Sequence, residues 1–301
     1  MRNYAYPLIT MLLWSGNVIV SKMAHGLIAA PAMSFYRVVL ALAIMSLFAA
    51  GPVWRHWHFI RPQLPKLLFL GFLSMAFYQC LSYWAAASTS ATNMAVITAL
   101  TPLLTLLTTR LLLPGSGPRG MLPGALLALF GTVWLISGGH PLQLLSQGVR
   151  SGDLLMLTAA LSYAFYSVFL KKWHISVPAW QSTYLQAWGA LITLLPIFFW
   201  LPAEQTQLNE QTVPLILYAG ILASVLLPYC WIQGITRLGP ARCSLFLNIL
   251  PFMTAMLAIP LLGEQLGAHH VSGGLLTLAG VILAQWPPQQ WLFKTKAAPA
   301  K

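Results

Sequence analysis

A chain of 301 residues with 58% hydrophobic and 7% charged residues has too little polar side chain to cover a soluble surface, where about 25% charged residues is usual. Its formal charge of +12 would suggest nucleic acid on a soluble protein, but in so apolar a chain the basic residues have to be read by position before they are read by sum. Cys80, Cys230 and Cys243 all fall inside apolar runs, so they read as small buried residues and not as a disulfide or metal set.

A bilayer-crossing helix needs about 20 mostly apolar residues. The stretches between charges, prolines and glycines predict ten of them, at about 4–22, 32–50, 65–87, 92–112, 120–138, 152–171, 180–201, 213–235, 242–262 and 270–287. The first carries Thr10, Trp14, Asn17 and Ser21 at i, i+4, i+7 and i+11, one polar and aromatic stripe on a single helix face. Arg2 before this run and Ala30-Pro31-Ala32 after it imitate a signal peptide. Cleavage there would remove the stripe, so the run is read as a helix of the protein. The uncharged block Leu67 to Thr109 holds two helices, and its polar cluster from Ser88 to Asn93 places the turn between them. Only Arg37 lies well inside a predicted span.

Lys and Arg collect on the cytoplasmic side of short loops, which tests the count of spans. With ten, one side holds Arg2, Arg55, Arg61, Lys66, Arg110, Arg119, Lys171, Lys172, Arg237, Arg242 and the tail lysines 294, 296 and 301. The other side holds only Lys22 and Arg150, together with all four acids, Asp153, Glu204, Glu210 and Glu264. That partition puts both termini in the cytoplasm. It makes the basicity a matter of topology and leaves nucleic acid out.

The first element returns 149 positions later, where Tyr163, Tyr166 and Lys171 stand in register with Trp14, Asn17 and Lys22. The same offset pairs Pro102 with Pro251, Thr105 with Thr254, Gly124 with Gly273 and Gly131 with Gly280. The expected organisation is therefore an all-α integral membrane protein made of two five-helix units, 1–138 and 152–287, with a linker at 139–151 and a basic tail at 288–301. Five is odd, so the units cross the membrane in opposite directions. Inverted repeats of this kind place a binding site near the midplane and work by alternating access.

Trp14-x-x-Asn17-x4-Lys22, Pro31-x5-Arg37, and Leu261-Leu262-Gly263-Glu264 followed by Gly273 and Leu278-Ala279-Gly280-Val281 together resemble the EamA-type exporters of the drug/metabolite transporter superfamily. The resemblance covers nearly the whole chain. The first half departs from it, reading Pro114-Gly115 where Gly-Glu is expected, so the acidic residue exists only as Glu264. The resemblance implies export of small metabolites such as amino acids or drugs across the bacterial inner membrane.

Trp14, Asn17, Tyr163 and Tyr166 are the first candidates to line a substrate cavity, because aromatic faces with polar tips hold amphipathic molecules; helix packing is the competing reading. The threonine stripe Thr98, Thr101, Thr105 and Thr108 divides the same way, with hydroxyls able to bond the preceding turn. Asn248, three residues before Pro251, either faces a cavity or supports a kink. Arg37 either snorkels to the interface or attracts a substrate carboxylate. Lys22, Asp153 and Glu264 are the candidate gate residues. Helices 3 and 8 offer Tyr78, Gln79, Tyr83, Tyr229, Trp231 and Gln233, of which Tyr229 and Gln233 share a face at i, i+4.

There is no HExxH, GxSxG or GxxxxGK[ST] sequence, and hence no catalytic or nucleotide motif of those kinds. The expectation is a carrier for a small molecule, without catalytic residues or cofactor, embedded in lipid as a monomer or a homodimer. The competing classes are a lipid flippase and a non-transporting assembly protein.

Overall fold

The computed structural model describes residues 2–24, 26–86, 88, 94, 97–113, 121–145, 150–262 and 267–285. These residues are almost entirely helical, and among them there is no strand. In chain order the helices are α1 (Arg2–Ala24), α2 (Ala30–Arg55), α3 (Trp57–Ser82, its last stretch running on through Tyr78–Ala86), α4 (Thr101–Leu112) and α5 (Met121–Ile136). Then come α6 (Ser151–Lys172), α7 (Ala179–Phe199), α8 (Thr212–Leu238), α9 (Leu250–Leu262) and α10 (Ala268–Gln285). By length and composition α2, α3, α6, α7 and α8 can each cross a bilayer, and Ile97–Leu112, Met121–Ile136 and Ala268–Ala284 are shorter apolar helices.

The sequence sets many of the boundaries. Proline occupies one of the first two positions of α2 and of α4, where a missing N–H costs nothing. Gly239, at φ 84°, ends α8 in the left-handed conformation that only glycine adopts cheaply. Asp153 marks the start of α6, its carboxylate accepting the Arg150 N–H at 2.7 Å.

Large apolar side chains point outward all round. Leu47, Leu111, Phe199 and Trp200 are each more than three-quarters exposed, a surface that suits lipid and not water. The chain is thus a multi-pass membrane protein.

Packing follows a rule. Exchanging α1–α5 for α6–α10 turns the contact α3·α7 into α8·α2, α3·α6 into α8·α1, and α4·α6 into α9·α1, while α5·α10 and α2·α7 map onto themselves. The tightest of these is α5 against α10. A Cβ on Gly131 would lie 2.8 Å from the Gly273 carbonyl, and a Cβ on Gly273 would lie 2.8 Å from the Gly131 carbonyl. Gly280 faces the Gly124 carbonyl in the same way, at 2.7 Å. Small residues let helix backbones meet in a membrane, and this seam uses them throughout.

Two of the helices contain a π-turn at matching places, Phe72–Phe77 in α3 and Leu222–Leu226 in α8. A π-turn widens the helix and leaves main-chain carbonyls in need of donors. The Leu73 carbonyl receives Ser162 Oγ from α6 at 3.0 Å, and the Ala223 carbonyl receives Arg37 Nη2 from α2 at 3.1 Å. A third π-turn, Ser46–Ala50 in α2, has no counterpart in α7.

Candidate functional site

A cavity with about 650 Å³ of space between its walls, part of it continuous with the outside, opens where α1, α2, α3, α6 and α8 meet. Helix α1 contributes Trp14 and Asn17, and α6 contributes Tyr163 and Tyr166. From α3 come Ser74, Met75, Tyr78 and Gln79; from α8 come Ala223, Ser224, Leu227, Pro228 and Trp231. Helix α2 supplies Ser34, Arg37 and Val38.

The wall repeats. Trp14 and Asn17 stand 149 positions before Tyr163 and Tyr166, and the α3 quartet at 74, 75, 78 and 79 stands 149 positions before 223, 224, 227 and 228. The pairing fails in two places: Ser82, the match of Trp231, does not line the cavity, and neither do Thr183, Gln186 and Ala187, the positions that match the three residues of α2.

Tyr163 is the hub of the aromatic lining. Its ring centroid lies 5.4 Å from Trp14, Tyr78 and Tyr166 and 5.7 Å from Trp231. These tilted and edge-on arrangements are the ones ring quadrupoles favour. Trp14 and Tyr163, in register in the sequence, touch each other in space.

Arg37 does not snorkel. It is 9% exposed, and its Nε donates to Ser224 Oγ at 2.8 Å while Nη2 donates to the Ala223 carbonyl. Ser224 in turn donates to the Ala219 carbonyl at 2.7 Å. The guanidinium is thereby held at the cavity wall by the π-turn of α8.

Of the residues expected from sequence, Trp14, Asn17, Arg37, Tyr78, Gln79, Tyr163 and Tyr166 meet in this cavity. Four lie elsewhere. The Tyr229 ring stacks on Trp180 at 3.9 Å, and Gln233 follows it on that face of α8. Thr98 bonds the Met94 carbonyl at 2.8 Å, and Thr105 and Thr108 likewise turn back on α4. Asn248 is buried in the 3₁₀ turn before α9, where its main-chain carbonyl accepts the Thr132 hydroxyl at 3.3 Å. Asp153 serves at the start of α6. The side chains of Lys22 and Tyr83, and the whole of Glu264, lie outside the described residues.

Sequence reading passed over Ser34, Val38, Ser74, Met75, Ala223, Ser224, Leu227 and Pro228. The 149-residue offset could have found two of them, since it carries Tyr78 and Gln79 onto Leu227 and Pro228. Among the described residues no cluster of His, Cys, Asp or Glu could hold a metal ion, and all three cysteines are free and buried.

The chain is similar over most of its length to known transporters. An uncharacterised transporter of Archaeoglobus fulgidus is 27% identical over 284 residues, covering 91% of this chain and 94% of its own. A probable terminal-alkyne amino-acid exporter of Streptantibioticus cattleyicolor is 25% identical over 258 residues, covering 83% and 82%. One crystal structure superposes with a TM-score of 0.76 at 18% identity, over 94% of this chain and 97% of its own, a likeness of fold. The EamA-like transporter family matches twice, over residues 2–137 and again over 150–286, and with both matches together spanning nearly the whole sequence, this chain belongs to that family.

Proposed function

We propose that this protein is a secondary carrier that exports a small amphipathic metabolite, an amino-acid-like compound or a drug, across the bacterial inner membrane. It works by alternating access in ten spans arranged as two inverted five-helix repeats, with both termini in the cytoplasm. The observation that carries this reading is the cavity wall, in which aromatic and polar residues 149 positions apart close on one space from opposite sides. A site shared by two related units at their junction is the arrangement that rocking of one unit against the other can expose to either side in turn. The contacts that survive exchange of α1–α5 with α6–α10, the partition of basic loops and the relative named as an amino-acid exporter all favour it.

The test is efflux of amino acids, organic acids, purines and cationic drugs from preloaded proteoliposomes, with wild type beside a Trp14→Ala, Asn17→Ala double variant. Flux of one compound class in wild type and its loss in the variant is the expected result. No flux of any compound from verified folded protein would favour a lipid-handling or assembly role instead.

A further inference from the structure

The cavity is unevenly furnished with hydrogen-bonding groups. Arg37 brings a permanent positive charge to its wall. Trp231 and Ser34 are each 1% exposed, and both line the cavity. The Trp231 Nε1 and the Ser34 Oγ have no hydrogen-bond partner among the described residues. An indole N–H can only donate and a guanidinium can only donate, and a buried donor left unmade is costly. Among the described residues no Asp or Glu lines the cavity. The indole N–H and the guanidinium therefore call for acceptors and negative charge; the amides of Asn17 and Gln79 and the Ser34 hydroxyl can accept as well as donate, but among the described residues the wall offers no carboxylate to an ammonium group. Around the donors stand Trp14, Tyr78 and Tyr163, which favour an apolar or aromatic body.

Building on the carrier reading above, we infer that the preferred substrate is an organic anion, a carboxylate on an apolar or aromatic body, taken in preference to the matching zwitterionic amino acid or amine. Trp231 and Ser34 are the specificity-determining groups that meet the acceptor end beside Arg37. The ammonium of an amino acid would sit close to a like charge with no carboxylate to offset it, and that is the source of the discrimination. The inference also supplies a driving force. An anion leaving an inside-negative compartment moves down the electrical gradient, worth roughly 50-fold in concentration per 100 mV, so export needs no titratable group in the cavity.

Phenyllactate, phenylalanine and phenethylamine share one skeleton and differ in charge, which makes them the probes. Binding to purified protein is measured by calorimetry, and efflux is measured from proteoliposomes with a potassium–valinomycin potential. Phenyllactate is expected to bind and to leave at least about tenfold better than the other two, and faster when the interior is negative. Trp231→Phe keeps the ring and removes the N–H, and Ser34→Ala removes only the hydroxyl. Each should weaken phenyllactate binding by about 3- to 10-fold. Equal handling of phenylalanine or phenethylamine, or an unchanged Trp231→Phe, would overturn the anion preference while the carrier reading stood. Selective phenyllactate binding without flux would support the anion preference and overturn the carrier reading. No binding and no flux of all three would remove both.

Discussion

Arg37 has two duties. Its Nε and Nη2 satisfy Ser224 and the Ala223 carbonyl opened by the π-turn, and its charge faces the cavity. Interhelical hydrogen bonds in membranes are worth about 1 kcal/mol each, so Arg37→Gln should lower the melting temperature by only a few degrees. If the charge also meets substrate, the same variant loses transport altogether, and Arg37→Lys, which keeps the charge but not the fork of donors, falls between. Arg37→Gln protein with full flux in proteoliposomes would take the guanidinium off the substrate path. At this scale the sequence was informative where residues form a stripe. Trp14 and Asn17 lie on one face of α1, and their counterparts Tyr163 and Tyr166 on one face of α6, so all four reached the cavity. Tyr229 and Gln233 also share a face, but the wrong one. Each stands two residues, about 200° around the helix, beyond the cavity-lining Leu227 and Trp231. Periodicity tells which residues go together and not which way they point.

The seam between α5 and α10 shows how much a helix pair can depend on having no side chains. Gly131→Ala would bring a Cβ within 2.5 Å of the Thr277 nitrogen, and Gly273→Ala would bring one within 2.7 Å of Leu135 Cβ. Either substitution should destabilise by about 1–3 kcal/mol, seen as lower melting and loss of the monodisperse peak in detergent. Gly51 in α2 has nothing within 4 Å of where its Cβ would go, so Gly51→Ala should stabilise by about 0.5–1 kcal/mol. Equal behaviour of the three variants would mean that the seam is not close-packed in the membrane. The glycines of this seam were visible in the sequence because the offset of 149 pairs them. The π-turns were not. Phe72–Phe77 and Leu222–Leu226 carry no residue type that marks a widened turn, and their cost is met by Ser162 and Arg37 from other helices, which no local reading reveals.

For the whole molecule, the proposed inverted arrangement and the partition of Lys and Arg predict a side of the membrane for each loop. In a protein whose three cysteines have been replaced, a cysteine at Ser88 should react with an impermeant maleimide in intact cells, and one at Ser116 only after lysis. Labelling of both from the outside, or of neither, would refute the inverted arrangement. Membrane character and helix order were legible because a bilayer imposes length and hydropathy on every span; the cavity's shape was not, because it depends on how five helices turn toward one another. One element in that shape stands apart. Helices α1 and α6, and α3 with α8 apart from Trp231, line the cavity at matching positions, whereas α2 presents Ser34, Arg37 and Val38 with no equivalent from α7. In the proposed carrier, a guest turned end for end would lose the guanidinium, because the other unit brings no second charge to the wall, so the site would favour one orientation of its cargo.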